Sequence, residues 1–221
     1  MDPLDNPIWF ALRTAHAALA QGDATMARYP ADVAPFAAVA ADGDRPSDLG
    51  LAGVVGAAEA TSFVGALPTL PAHVHARREP GVLQMTCSGM AKPPSAAIVE
   101  VRELGDADLT ARVYPWYFRA RTPVMGRYVG VFADDRLVAM GGERFRLEHA
   151  CELSGICTDA AYVGRGYAGA IVRRLVESML ASDVIPFLHL STENTRARSL
   201  YRSLGFVERA ELPMITVDGR A

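Results

Sequence analysis

The sequence predicts an α/β protein: a mixed, mostly antiparallel central sheet flanked by helices over residues 96–221, preceded by a divergent α/β subdomain over residues 1–95. Between Arg127 and Thr158, short apolar runs alternate with turn residues, the pattern of an antiparallel meander. From Gly166 onward the apolar period becomes helical. The first 95 residues, rich in Ala, Pro and Gly, have a different composition from the rest. At 221 residues, 50% hydrophobic and 21% charged, the chain can bury a core and is not of disordered composition.

Ile8, Leu12, Ala15 and Leu19 mark an amphipathic helix from Pro7 to Ala20, with Gly22 just beyond it. An apolar segment, Leu49 to Gly56, leads to a strand at Thr61–Val64, closed by Pro68 and Pro71. Gly81 to Cys87 is another strand, and Gly89 to Ser95 reads as a linker. Ala97 to Glu103 follows as a strand and Asp106 to Ala120 as a helix. Arg127–Phe132 and Arg136–Met140 flank Ala133, Asp134 and Asp135, the composition of a hairpin turn. Glu143–Leu147 and Cys151–Thr158 complete the meander. In the helix Gly166 to Ala181, the apolar positions Ala168, Ile171, Val172, Leu175, Val176, Met179 and Leu180 form a stripe, with Arg173, Arg174 and Glu177 outside it. A strand at Phe187–Leu190 precedes a helix from Thr195 to Leu204, which Gly205 ends in the left-handed position. Strands at Phe206–Arg209 and Met214–Val217 close the chain.

A net charge of -3 gives no general attraction to nucleic acid or to an anionic membrane, so any anionic ligand must be held at a local site. Cys87, Cys151 and Cys157 are odd in number and widely spaced, which argues against a disulfide framework and a zinc site. His73 and His75 make half a metal site with no third ligand nearby, so no metal is expected. The N-terminus lacks the basic and apolar regions of a signal peptide, and no apolar stretch is long enough to span a bilayer; a cytoplasmic location is the expectation.

The chemistry concentrates in Ser154 to Ala170, SGICTDAAYVGRGYAGA: a strand, a short loop, and Gly164, Gly166 and Gly169 opening a helix. Glycines there let successive main-chain N–H groups and the helix N-terminus converge on one phosphate or pyrophosphate. GRGYAG also satisfies the dinucleotide-binding pattern GxGxxG. That fold needs the pattern early in the chain and an acidic residue about 20 residues later, where this chain has His189.

The run VGRGYAGAIVRRL, preceded by ICTDAAY and followed by FLHLSTENTRARSLYRSLGF, resembles the acyl-CoA-binding core of the GNAT superfamily of N-acetyltransferases, in particular the branch related to glycine N-acyltransferases. The resemblance covers about 120 residues, Ala97 to Val217. The superfamily's phosphate loop, Q/R-x-x-G-x-G/A, falls on Val163, Gly166 and Ala168; Val163 departs from the usual Arg or Gln. The resemblance implies the GNAT acyltransferase fold and, with acetyl-CoA as cosubstrate, direct acetyl transfer to a primary amine in a ternary complex. It places main-chain contacts to the pantetheine arm and thioester at Ile156 and Cys157, with Thr158 beside them. Val163, Gly164, Arg165, Gly166, Tyr167 and Ala168 would surround the pyrophosphate, and Asn194 and Ala197 would hold the pantetheine. Asn194 equally suits a helix N-cap. Tyr201 matches the general acid that protonates the departing thiolate. Glu152 and Glu143, on adjacent strands, are the candidate bases, Glu152 first because its strand would lie beside the thioester. Arg173, Arg174, Arg198 and Arg202 either solvate helix faces or reach the 3′-phosphate of coenzyme A.

Residues 1–95 would shape the acceptor site, and a degenerate second copy of the core stays open for them. The acceptor is a small-molecule amine or a peptide N-terminus, and a homodimer is left open. Two other readings remain: a non-catalytic acyl-CoA-binding module, and glycine-type N-acylation with a bulkier acyl group.

Overall fold

The computed structural model describes residues 2–56, 59–91, 99–104 and 118–219. Three short strands, β1 (Gln21–Gly22), β2 (Met26–Arg28) and β3 (Ala37–Val39), form a small antiparallel sheet. The central sheet contains, among the described residues, β4 (Thr61–Val64), β5 (Ala76–Thr86), β6 (Arg102–Glu103), β7 (Tyr128–Ala133), β8 (Arg136–Arg146), β9 (Ala150–Thr158), β10 (Ile185–Ser191) and β11 (Val207–Val217). Their order across the sheet is β4-β11-β5-β10-β9-β8-β7-β6. Every neighbouring pair is antiparallel except β9 and β10. The α-helices among the described residues are α1 (Pro7–Arg13), α2 (Asp48–Val55), α3 (Tyr167–Leu180) and α4 (Thr195–Leu204).

The hairpin between β7 and β8 turns at Asp134 and Asp135, whose φ values of 49° and 58° are those of a two-residue primed turn. Where the sequence suggests two strands, Arg136–Met140 and Glu143–Leu147, a single β8 absorbs the break through shifts of register against β9. The strands expected at Phe206–Arg209 and Met214–Val217 are likewise one, β11, with two register shifts against β5. The helix expected over Pro7–Ala20 stops at Arg13 and resumes as a 3-10 turn at Ala17–Leu19. The helix expected at Asp106–Ala120 lies outside the described residues as far as residue 117, as do residues 92–98 of the expected linker and strand. β5 begins five residues earlier than the sequence suggests, and it stands between β10 and β11, so strands from before and after residue 95 share one sheet.

Each face of this sheet is covered. On one side the stripe of α3, Ile171, Val172, Leu175, Val176 and Met179, packs with Leu83, Met85, Leu153 and Leu188 of the strands. On the other, Ile8, Ala11 and Leu12 of α1 pack with Tyr29, Phe36, Phe145 and Phe187. Alternation along β10 therefore sends Leu188 and Leu190 toward the helices, and Phe187 and His189 toward the N-terminal layer. No helix among the described residues is long and apolar enough to cross a membrane.

His16 explains why the first helix ends early. Its side chain turns inward, Nδ1 2.8 Å from the Tyr29 hydroxyl and Nε2 3.0 Å from the Met125 carbonyl oxygen. The carbonyl can only accept, so Nε2 carries the proton and Nδ1 accepts from Tyr29. Burial lowers the pKa of His16 from its ordinary value of 6.5. The unfolded chain then binds more protons than the folded one as pH falls through that range, and stability is lost toward acid. His16→Gln should flatten the fall in urea midpoint between neutral and mildly acidic pH; an unchanged slope would show that His16 does not contribute to it.

Candidate active site

β9 and β10 pair in parallel from Ala150↔Ile185 through Leu153↔Leu188, and the pairing stops there although both strands continue. Beyond that point the sheet splits. Met140 faces Cys157 and Gly142 faces Ser154, so Gly155 and Ile156 stand against Gly141 alone: a bulge, with Gly155 at φ 64°. A Cβ on Gly141 would lie 2.3 Å from Cδ1 of Ile156 and 2.8 Å from Cγ2 of Ile171, so both side chains pack closely over this glycine opposite the bulge. The split opens into a cavity of about 1020 Å³, ample for a small organic ligand. Leu153, Leu190 and Tyr201 line it from the helix side, and Arg144, His189 and Phe36 from the N-terminal side.

β9 leads directly into the glycine loop. Asp159 accepts from the N–H of Ala161 at 3.0 Å and pairs with Arg136 at 2.6 Å, fixing the first turn. Gly164 and Gly166 both have φ 81°, and Gly166 is the N-cap of α3. A Cβ built on either meets nothing within 4 Å, so the left-handed backbone, and not crowding by protein, calls for glycine there. The first helical bond returns from Ala170 to Gly166, so the N–H groups of Tyr167, Ala168 and Gly169 are directed out of the helix end. Arg165 folds over the Tyr162 ring at 4.7 Å, and that ring stacks on Tyr167.

The other side of the split is built by α4. Asn194 caps the helix, its Oδ1 accepting from the Ala197 N–H at 3.0 Å, and it also lines the cavity; the two readings of this residue coexist. Tyr201 is buried with its ring against Phe206 and reaches the same cavity. Arg198 and Arg202 both pair with Glu208, and Arg173 donates to the Ala91 carbonyl at 2.7 Å.

Of the residues singled out in the sequence, Ile156, Asn194, Ala197 and Tyr201 thus meet at one cavity. Val163 through Ala168 form the loop at the end of β9. Cys157 and Thr158 follow the bulge without lining the cavity, and burial raises the Cys157 thiol to about 12, far from a reactive thiolate. Glu143 also stands away from it, bonded to Arg146 at 3.3 Å. Glu152 is fully buried behind the wall. Its two oxygens accept from Arg144 at 2.7 Å each, and Oε1 lies 2.7 Å from Nδ1 of His189. Burial would push this carboxyl up, but Arg144 and His189 outweigh it and hold the pKa at about 2. Arg144 itself lies over the rings of Phe36 and Phe145, 4.9 and 4.6 Å from its guanidinium. Arg144 and His189 are the wall residues that the sequence does not announce: His189 is a polar residue between Leu188 and Leu190 on a strand, and Arg144, between Glu143 and Phe145, carries no such signal. Among the described residues no cluster of His, Cys, Asp or Glu is placed to hold a metal ion.

Comparison with known proteins places this architecture. The FR47-like protein family matches residues 128–213, from β7 to β11. A protein from Novosphingobium aromaticivorans, assigned to the GNAT family of acetyltransferases, superimposes over 100% of both chains with a TM-score of 0.82 and 28% identity. The chain has the GNAT fold. A GCN5-related N-acetyltransferase from Kribbella flavida shares this GNAT architecture, at a TM-score of 0.60 and 16% identity over 94% of this chain and 95% of its own. A GCN5-related N-acetyltransferase-like protein from Streptococcus suis follows at 0.53 and 13%, covering 90% and 82%. No protein of curated function matches the sequence. These matches support the resemblance at the level of the GNAT superfamily.

The buried ion pair gives the site a measurable energetic signature. Glu152→Leu leaves the Arg144 charge uncompensated and should cost roughly 3–5 kcal/mol in denaturant unfolding, whereas Arg144→Leu combined with Glu152→Leu should cost less than the single change. A double variant that loses as much as the two single variants together, or more, would show that the pair is not coupled in this way.

Proposed function

We propose that the protein transfers an acetyl group from acetyl-CoA directly to a primary amine in a ternary complex. The observation that carries this reading is the split between β9 and β10, which opens a cavity lined by Ile156, Asn194 and Tyr201, with the glycine loop following on the same strand as Ile156. Coenzyme A has three parts that such a site fits. Its pyrophosphate would take the N–H groups of residues 163–168, its pantetheine amides the exposed edge at Ile156 and Cys157 with Asn194 opposite, and its thioester the apex beside Leu153 and Leu188. The amine would approach from the N-terminal side, where Phe36, Arg144 and His189 stand, and residues 1–95 would set its selectivity.

Two proton movements complete the transfer. When nitrogen attacks the thioester carbon, the C–S bond breaks and the sulfur leaves as a thiolate; the Tyr201 hydroxyl donates to it. The ammonium proton must leave the acceptor before or during attack. Glu152 is a poor recipient, since three donors already fill its oxygens and hold it ionised. His189 is the better one, with Glu152 behind Nδ1 to stabilise the imidazolium that forms. Glu152 then acts through His189 instead of meeting the amine itself. Glu143 takes no part in this scheme, because it does not reach the cavity.

Release of coenzyme A thiol with acetyl-CoA and a panel of amines tests the proposal; saturable binding of acetyl-CoA with no amine-dependent release would identify a non-catalytic binding module instead. Tyr201→Phe should lower turnover by roughly 10²-fold or more while coenzyme A affinity stays within a few-fold. Undiminished turnover in that variant would remove Tyr201 as the acid.

A further inference from the structure

A chain of hydrogen-bonded polar groups, buried at Glu152, His189 and Gln84 and exposed at its far end, runs from the cavity wall to the N-terminal turn, crossing β8, β9, β10, β5 and β11. Arg144 and His189 donate to Glu152. Nε2 of His189 lies 3.0 Å from Nε2 of Gln84, a fully buried side chain on β5. Gln84 Nε2 also donates to the Leu4 carbonyl at 2.8 Å, and Gln84 Oε1 accepts from Nη1 of Arg209 at 2.9 Å. Nη2 of Arg209 in turn holds Asp2 and Asp5, each at 2.7 Å.

The direction of every bond in this chain is fixed by groups that have no choice. A guanidinium only donates and a main-chain carbonyl only accepts, so the Gln84 amide has one orientation: oxygen to Arg209, nitrogen to Leu4. Its remaining N–H then points at Nε2 of His189, which must accept. The imidazole proton is left on Nδ1, where the Glu152 carboxylate accepts it. Turning the Gln84 amide over would set an N–H against Arg209 and an oxygen against the Leu4 carbonyl, leaving buried groups unpaired at a cost of about 1–3 kcal/mol each.

We infer that Gln84 is a positioning residue: clamped between Arg209 and the Leu4 main chain, it selects the Nδ1–H tautomer of His189 and so ties the acceptor-facing wall of the cavity to the first five residues of the chain. The catalytic consequence rests on the acetyl-transfer reading above; the tautomer does not. For His189 to take a proton at Nε2, the Gln84 N–H must release it, so the N-terminal turn governs how readily this wall enters the reaction. The glycine loop and α4, where coenzyme A would be held, lie outside the chain of bonds.

Nitrogen-15 NMR of the full-length labelled protein, at a pH above the ordinary histidine range, reads the tautomer directly, with His189 assigned by its disappearance in His189→Gln. The wild type should show His189 protonated at Nδ1 alone. Gln84→Glu places an acceptor against Nε2 and should put a proton there. The double variant Asp2→Asn, Asp5→Asn, confined to an exposed turn and so safe for folding, should loosen Arg209 and yield a mixture of tautomers. In the acetyl-transfer assay, Gln84→Glu should change kcat or the acceptor KM by about tenfold or more and coenzyme A affinity by less than about threefold. An Nε2–H tautomer in the wild type, or an Nδ1–H tautomer persisting in Gln84→Glu, overturns the inference. An unmoved tautomer in the double variant overturns the link to the N-terminus. A changed tautomer with unchanged kinetics overturns the positioning role. Should no amine be acetylated, the NMR arm still decides the tautomer, so failure of the function and failure of this inference are told apart.

Discussion

Hydrogen bonding across a sheet leaves no main-chain group unpaired between neighbours, yet β9 and β10 run on past Leu153 and Leu188 without bonding to each other. Donors and acceptors in the middle of a sheet are exposed there, a condition that proteins otherwise avoid or cover. The bulge at Gly155 and Ile156 turns one of these edges into the gap. Because β9 and β10 are parallel, their carboxyl ends lie together, and the helices that follow them start at the same opening. The glycine loop and α3 leave from β9; Asn194 and α4 leave from β10. One break in pairing thus gathers a helix cap and a phenol around a single cavity, and the glycine loop follows the same strand, β9.

The wall on the other side obeys a different constraint. A guanidinium and a carboxylate are taken out of water behind it, and such a pair is tolerated only when its remaining capacity is filled. Arg144 meets this with two bonds to Glu152 and two aromatic faces, and Glu152 with a third donor from His189. The aromatic rings come from the N-terminal layer and from β8, so the packing of that layer and the electrostatics of the wall are one structure. Hydrogen bonds accordingly link the N-terminal segment to this wall, down to Asp2 and Asp5.

Local signals in the sequence account for the parts of the fold that depend on near neighbours. The stripe of α3, the extent of α4 from Thr195 to Leu204 and the left-handed Gly205 follow from periodicity and capping. The Asp-Asp hairpin follows from turn chemistry. Pairing between distant segments leaves no such trace. Nothing in residues 76–86 reveals that this strand inserts between β10 and β11, and the bulges that keep β8 and β11 continuous look like breaks when read along the chain. At the site, the glycine spacing and the Asn-to-Tyr interval are legible because a ligand-binding loop and a helix face are local objects. The fate of Glu152 is not, because a carboxylate on a strand becomes a buried anchor or a solvated base depending on Arg144 and His189, one a strand away and the other 37 residues on.

Whether the split sheet and the loop at Gly164 and Gly166 form a coenzyme A site is decided by calorimetric titration of coenzyme A into the wild type and into Gly166→Val. Valine at a backbone φ of 81° is strained, and its side chain would enter open space next to the loop instead of the protein core. The wild type should bind coenzyme A saturably at one site, and the variant about tenfold more weakly or worse. Equal affinity in the two proteins, or no binding by the wild type, would contradict the account.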